Sequence, residues 1–284
     1  MEKVTLIECP RDAMQGIHDF IPTAIKVDYL NLLLKVGFDV LDFGSFVSPK
    51  AIPQLRDTSE VLAQLDLASS KTKLLAIVAN QRGAEDACRF NEIAYLGFPF
   101  SVSEQFQLRN TNSTREQSLD RVKGIVDLCA KHNKKAVIYL SMAFGNPYEE
   151  EWSIAIVLEW ASKLKALGVD LMAVSDTIGS SDAQSIHALM GVLVQNLPNT
   201  ELGVHLHSHP LFWQEKMEAA YAAGVRRFDG AIKGFGGCPM AKDDLVGNMA
   251  TENIVSFLET KNLVLPLNAE LFLQAQQRAV QIMS

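Results

Sequence analysis

No apolar stretch in this 284-residue chain approaches the roughly 18 residues of a membrane-spanning helix. The opening residues, MEKVTLIECP, form neither an Arg-rich nor a long hydrophobic leader, so no targeting segment is expected and a cytoplasmic location is. Basic charge is short as well. Twenty-six Lys and Arg against 33 Asp and Glu leave a formal charge of −7, which argues against nucleic acid as a partner. Cysteine is scarce: Cys9, Cys88, Cys129 and Cys238 show no CxxC spacing, and with no export signal they read as free thiols in a reducing compartment. No long Pro/Gly/Ser-rich linker divides the chain, so a single domain over residues 1–284 is expected. The Gly-rich phosphate loop that follows the first strand of many open doubly wound sheets is missing too.

What the chain does have is a rhythm. Short β-rich segments occupy residues 4–10, 40–46, 73–80, 93–102, 135–144, 170–179, 201–209 and 226–236, all apolar enough for strands buried on both faces. Amphipathic stretches lie between them, at 24–37, 114–132, 149–168, 182–197 and 213–224. The second opens on Thr114 with Gln117 three residues on, a capping-box pattern. The third places acids at its start and Gly168 at its stop. Eight such alternations close most naturally as a (β/α)8 TIM barrel, with residues 268–283 as an extra C-terminal helix.

A barrel gathers its functional groups at the carboxyl ends of its strands. The first segment ends in Pro10-Arg11-Asp12, a cation and a carboxylate for the barrel mouth or, more blandly, a local ion pair in a loop. The seventh holds His205 and His207, which share a face because strand side chains alternate. The eighth runs into Gly234-Phe235-Gly236-Gly237-Cys238-Pro239, and Gly247-Asn248 closes that loop. Three glycines there permit unusual backbone angles and a mobile loop, or simply a tight turn. In a closed barrel the eighth strand neighbours both the seventh and the first, so Asp12, His205, His207 and Asn248 meet at the rim. One carboxylate, two imidazoles and an amide oxygen suit Mg²⁺ or Mn²⁺ with open positions for substrate oxygens, and Zn²⁺ or Co²⁺ would also be tolerated.

At these residues the chain resembles the 3-hydroxy-3-methylglutaryl-CoA lyases, barrel metallolyases related to the isopropylmalate and homocitrate synthases. The resemblance runs through ECPRDAMQG (8–16), SFVSPKAIPQLRDTSEVL (45–62), ANQRGAEDA (79–87), SVSEQFQLRNTNST (101–114), SDTIG (175–179), HLH (205–207) and GFGGCPMAKDDLVGNMATEN (234–253). It implies cleavage of 3-hydroxy-3-methylglutaryl-CoA to acetyl-CoA and acetoacetate, a retro-Claisen step of leucine and ketone-body breakdown. It also implies the four ligands above, Arg11 steadying an enolate oxygen, Cys238 as acid/base on its loop, Asp176 as an acid of the active site and Gln15 as a polar neighbour of the Arg-Asp pair. An acyl-CoA substrate and a homodimer are expected on the same ground.

The sequence departs from that pattern at several points. Asp42 stands where the lyases usually carry Glu, Ser-His-Pro-Leu follows His207, and Asn146 replaces a common cysteine. The loop between Cys238 and Asn248 carries an extra residue together with Asp243 and Asp244. Asp42, Asp176 and His207 all qualify as the base, and the residues alone do not choose among them. The departures keep a second reading open, a related metal-dependent aldol-type lyase acting on another 3-hydroxyacyl-CoA or hydroxy-diacid. A non-catalytic barrel is a third, disfavoured because a retired site has no physical reason to retain Arg11, the four ligands and Cys238 together.

Overall fold

The computed structural model describes residues 3–237 and 246–283. The strands are β1 (Thr5–Glu8), β2 (Val40–Ser45), β3 (Lys73–Ile77), β4 (Ile93–Ser101), β5 (Lys135–Ser141), β6 (Leu171–Ser175), β7 (Glu201–His205) and β8 (Arg227–Gly230). Each pairs in parallel with the next and β8 returns to β1, closing the barrel. Every one of the eight segments anticipated from sequence contains a strand.

Side-chain alternation divides the core in two. Leu74, Ala76, Ile138, Leu140, Met172, Val174, Leu202, Val204 and Phe228 pack outward against the helices. Their neighbours of opposite parity, among them Ile7, Val40, Leu75, Ile77, Val137, Tyr139 and Ala173, fill the barrel's interior. Polar residues of that second parity therefore point inward, and this decides which of them reach the site.

The helices begin and end for local reasons. Thr23–Val36 stops at Gly37, which takes the left-handed φ of 95° that glycine adopts without penalty. Arg115–Lys131 carries the anticipated capping box, Thr114 and Gln117 bonding reciprocally. The expected helix over 149–168 is shorter, Ile154–Ala166, with Ser153 as its cap. The acids before it serve elsewhere: Glu150 accepts from the Ser103 hydroxyl and from the Gln105 N–H, at the start of a different helix, Glu104–Thr111. Asn146 staples the same loop, accepting from the Tyr148 and Glu150 N–H groups and donating to the Glu150 carbonyl. Ala269–Met283 forms the C-terminal helix and docks on the barrel's flank through the Phe38–Phe272 edge contact at 5.9 Å. Among the described residues no helix is long and apolar enough to cross a membrane.

Candidate active site

Past the end of β1 the chain turns into a helix, Pro10–Gln15, rather than the loop expected there. Pro10 suits a first-turn position because its missing N–H costs no helical bond. Helical spacing then sets Gln15 beside both Arg11 and Asp12. Arg11 Nη1 donates to Asp12 Oδ1 at 3.0 Å and to Gln15 Oε1 at 2.8 Å, while Gln15 Nε2 donates to Asp12 Oδ1 at 2.8 Å. From β2, Asp42 Oδ2 accepts from Arg11 Nε at 2.9 Å and Nη2 at 2.6 Å. Burial raises the Asp42 carboxyl to about 6, although Arg11 pulls it down. Its anionic form is therefore held largely by the guanidinium, and its Oδ1 has no partner among the described residues.

His205 and His207 point inward from β7 and the residues beyond it, with ring centroids 5.5 Å apart. Asp12, His205 and His207 each offer a ligand atom within 4.8 Å of the others. Burial, and then the neighbouring His205, lower His207 to about 4, so it is a neutral imidazole with a free lone pair at pH 7. Burial also works against charge on His205, but Asp229 and Asp12 outweigh it and raise that ring.

Asn248 arrives by a different route. Residues 247–250 run back between the ends of β7 and β8. His207 and Asn248 form an antiparallel bridge, Met249 N donates to the Leu206 carbonyl at 2.8 Å, and Ala231 and Ala250 form a parallel one. Asn248 Nδ2 donates to Asp12 Oδ2 at 2.7 Å and to the Phe235 carbonyl at 2.9 Å, and its buried Oδ1 has no partner among the described residues. Two glycines permit this approach. A Cβ on Gly236, whose φ is +89°, would meet Asn248 Nδ2 at 2.7 Å, and one on Gly247 would strike the Gly234 carbonyl. The positive φ values anticipated for this stretch are present at Gly234, Gly236 and Gly237. Cys238, with Asp243 and Asp244, lies outside the described residues.

The chemistry of Asp12, His205 and His207 fits a divalent cation, one carboxylate and two imidazoles with ligand atoms within 4.8 Å of one another, and Asn248 adjoins them through its hydrogen bond to Asp12. Beside it opens a cavity of about 370 Å³, lined among others by Arg11, Asp12, Gln15, Arg109, Tyr139, Thr177, His205 and His207. That is within the size range of small-molecule sites.

Asp176 does not line this cavity. Ser175 and Thr177 do, and alternation turns the residue between them outward. There it accepts from Lys216 Nζ at 3.0 Å and from Ser181 N–H and hydroxyl. Sequence reasoning missed Lys216, a buried cation that also donates to the His207 carbonyl at 2.8 Å. It missed Asp229 and Glu8 as well. An Arg-Phe-Asp run in a buried strand was a usable signal for Asp229, since the parity that buries Phe228 outward sends Asp229 inward.

Several known proteins are similar to this chain along most of its length. The HMGL-like family profile matches residues 4–279. A hydroxymethylglutaryl-CoA lyase of Bacillus subtilis is 33% identical over 277 residues, covering 96% of this chain and 91% of the relative. The mitochondrial hydroxymethylglutaryl-CoA lyase of Homo sapiens is 30% identical, covering 96% and 84%. The crystal structure of the Bacillus subtilis HMG-CoA lyase superposes with a TM-score of 0.93 at 32% identity, covering 100% of this chain and 94% of that one. An HMG-CoA lyase from Acinetobacter baumannii, solved in complex with coenzyme A and 3-methylmalate, superposes with a TM-score of 0.90 at 28% identity, covering 99% and 91%.

Proposed function

Because this chain belongs to the HMGL-like family, we propose that it is a carbon-carbon lyase that cleaves 3-hydroxy-3-methylglutaryl-CoA to acetyl-CoA and acetoacetate. The observation that supports the proposal is the gathering of ligand atoms from Asp12, His205 and His207 at a cavity that Arg11 also lines, with Asn248 hydrogen-bonded to Asp12 beside them.

Asp12, His205, His207 and Asn248 would hold a divalent cation, Mg²⁺ or Mn²⁺ by their mixed N/O chemistry. When bound, such an ion supplies a Lewis acid that lowers the pKa of the substrate's tertiary hydroxyl. Arg11 provides a fixed cation for the charge that gathers on the thioester oxygen as the C2–C3 bond breaks. Its direction is already set by Asp42 and Gln15, so little reorganisation is needed when that charge appears. Asp42 and Gln15 thus act by holding Arg11 and Asp12. Among the base candidates, His207 lines the cavity, whereas Asp42 and Asp176 do not. Coordinating the cation would take the single lone pair of its neutral ring, so His207 could serve as ligand or as base but not as both in one step. Cys238 is assigned the protonation of C2 that releases acetyl-CoA. Cys238→Ser should keep the fold and Mn²⁺ binding but lose most turnover, and near-normal turnover would return that thiol to a packing role.

The deciding experiment is an assay of hydroxymethylglutaryl-CoA cleavage with Mg²⁺ or Mn²⁺, before and after chelation. Activity that survives complete metal removal would end the proposal. A small panel of 3-hydroxyacyl thioesters tests the neighbouring reading that Asp42 and the Ser-His-Pro-Leu run keep open. A reducing, cytoplasmic setting suits Cys9, Cys88 and Cys129, all free and buried. Leucine breakdown is the proposed physiological setting, and a homodimer, measurable by light scattering, the proposed assembly.

A further inference from the structure

We propose that Asp229 is a positioning residue that fixes the ring of His205 and thereby sets the affinity of the site for its cation. The inference rests on the proposed divalent-ion site.

Four observations on β7 and β8 carry it. His205 and Asp229 are direct Cα partners across the two strands. Phe228 packs outward, so Asp229 projects into the barrel on the same side as His205. Its carboxylate is completely buried, and Oδ2 lies 3.5 Å from His205 Nδ1. The other ring nitrogen, Nε2, lies 4.0 Å from Asp12 Oδ2. The imidazole is therefore bracketed, one nitrogen towards Asp12 and the ion site, the other towards Asp229. Tyr139 closes the flank with an edge contact at 5.8 Å.

The chemistry follows from the tautomer. An imidazole that offers a lone pair on Nε2 carries its proton on Nδ1. Among the described residues Nδ1 has no hydrogen-bond partner, and neither has either oxygen of Asp229. A buried carboxylate in that state is costly, and the Nδ1 proton facing it is the natural complement. Cys9 Sγ shares this cluster, but a thiol is only a weak acceptor. An anion behind a ligating histidine holds the ring in place and raises its basicity. Loss of such a partner typically lowers metal affinity about 10- to 100-fold.

The test is Mn²⁺ titration of the metal-free protein, with free Mn²⁺ read by electron paramagnetic resonance, on the full chain and four variants. Asp229→Ala should bind Mn²⁺ about 10- to 100-fold more weakly. Asp229→Asn, which keeps the shape and one acceptor oxygen but not the charge, should fall in between and serves if the alanine variant does not fold. Phe228→Leu perturbs the same strand on its other face and should leave affinity unchanged. His205→Ala should abolish tight binding. Affinity within twofold of wild type in both Asp229 variants, with binding lost in His205→Ala, would overturn the positioning role alone. An equal loss in Phe228→Leu would overturn it as a strand-wide effect. Wild-type affinity in His205→Ala would remove the ion site, and this inference with it.

Discussion

The two flanks of the site are built on opposite principles. On the β1–β2 side Arg11, Asp12, Gln15 and Asp42 bond one another through five contacts between 2.6 and 3.0 Å. On the β7–β8 side His205 Nδ1, both oxygens of Asp229 and Asn248 Oδ1 are buried without a partner among the described residues. Unsatisfied buried polar atoms are expensive, and a fold keeps them where something else completes them. The closed network holds a charge still, while the open one sets Asp229 against the back of the His205 ring and leaves the other ring nitrogen facing Asp12. Asn248 Nδ2, bonded to Asp12 Oδ2, is the bridge between the two.

Breaking the open flank should have the larger effect. His205→Ala removes a donor from the middle of the set, and turnover should fall by more than about 1000-fold, beyond the range for a single lost electrostatic donor. Mn²⁺ titration alongside the lyase assay checks it; retained metal with retained turnover would merge the two flanks into one kind of structure. Breaking the closed flank should leave the metal in place. Arg11→Met should bind Mn²⁺ but lose about 100- to 1000-fold in kcat. It should also cost about 3–5 kcal/mol of stability, because Asp42 and Asp12 lose their buried counter-ion. Loss of Mn²⁺ affinity in this variant would show that the flanks are not separable.

Lys216 sharpens the contrast from outside the cavity, where it pairs with Asp176 and holds the His207 carbonyl. Lys216→Met should destabilise by about 3–5 kcal/mol, since Asp176 is left charged and buried. Adding Asp176→Asn should recover much of that, because removing both partners is cheaper than removing one. Urea unfolding of the two single variants and the double one measures the coupling; strict additivity would mean the pair does not act as a unit.

How much of this was legible depended on which rule each residue obeyed. The eight strands were readable because parallel strands buried on both faces leave continuous apolar runs. His205 and His207 share a face by simple alternation, and Thr114 with Gln117 announced its own cap. Asp176 matches the resemblance in sequence but not in space, because the alternation that turns His205 inward turns Asp176 outward. The acids at 149–151 resembled a helix start, but Ser153 provides the cap and Glu150 bonds a neighbouring helix. Asp229, Lys216 and Glu8 were hidden for a deeper reason. Each acts through a partner 24, 9 or more than 200 residues away, and single-chain periodicity carries no information about such pairings.

Glu8 gives the most specific test, because it ties the two flanks together. Buried at the end of β1, it accepts from the Ile232 N–H at 3.0 Å and from the Thr251 hydroxyl, and so grips both limbs of the segment that carries Asn248. Burial raises its carboxyl to about 8, against the opposing pull of those two hydrogen bonds. In the native protein it therefore holds a proton that the unfolded chain releases above pH 4.5. The native state binds more protons across that window, so Glu8 makes stability fall as pH rises from 4.5 to about 8, after which both states are ionised and the trend stops. The slope is at most about 1.4 kcal/mol per pH unit. Glu8→Gln mimics the protonated form and should match wild-type Tm near pH 5, gain on it steadily towards pH 8, and hold a constant lead above that. Comparing the two proteins at each pH cancels the other titrating groups. Parallel Tm curves from pH 5 to 9 would mean that Glu8 is ionised at neutrality, so that a buried negative charge, rather than a neutral acid, pins the limbs around Asn248.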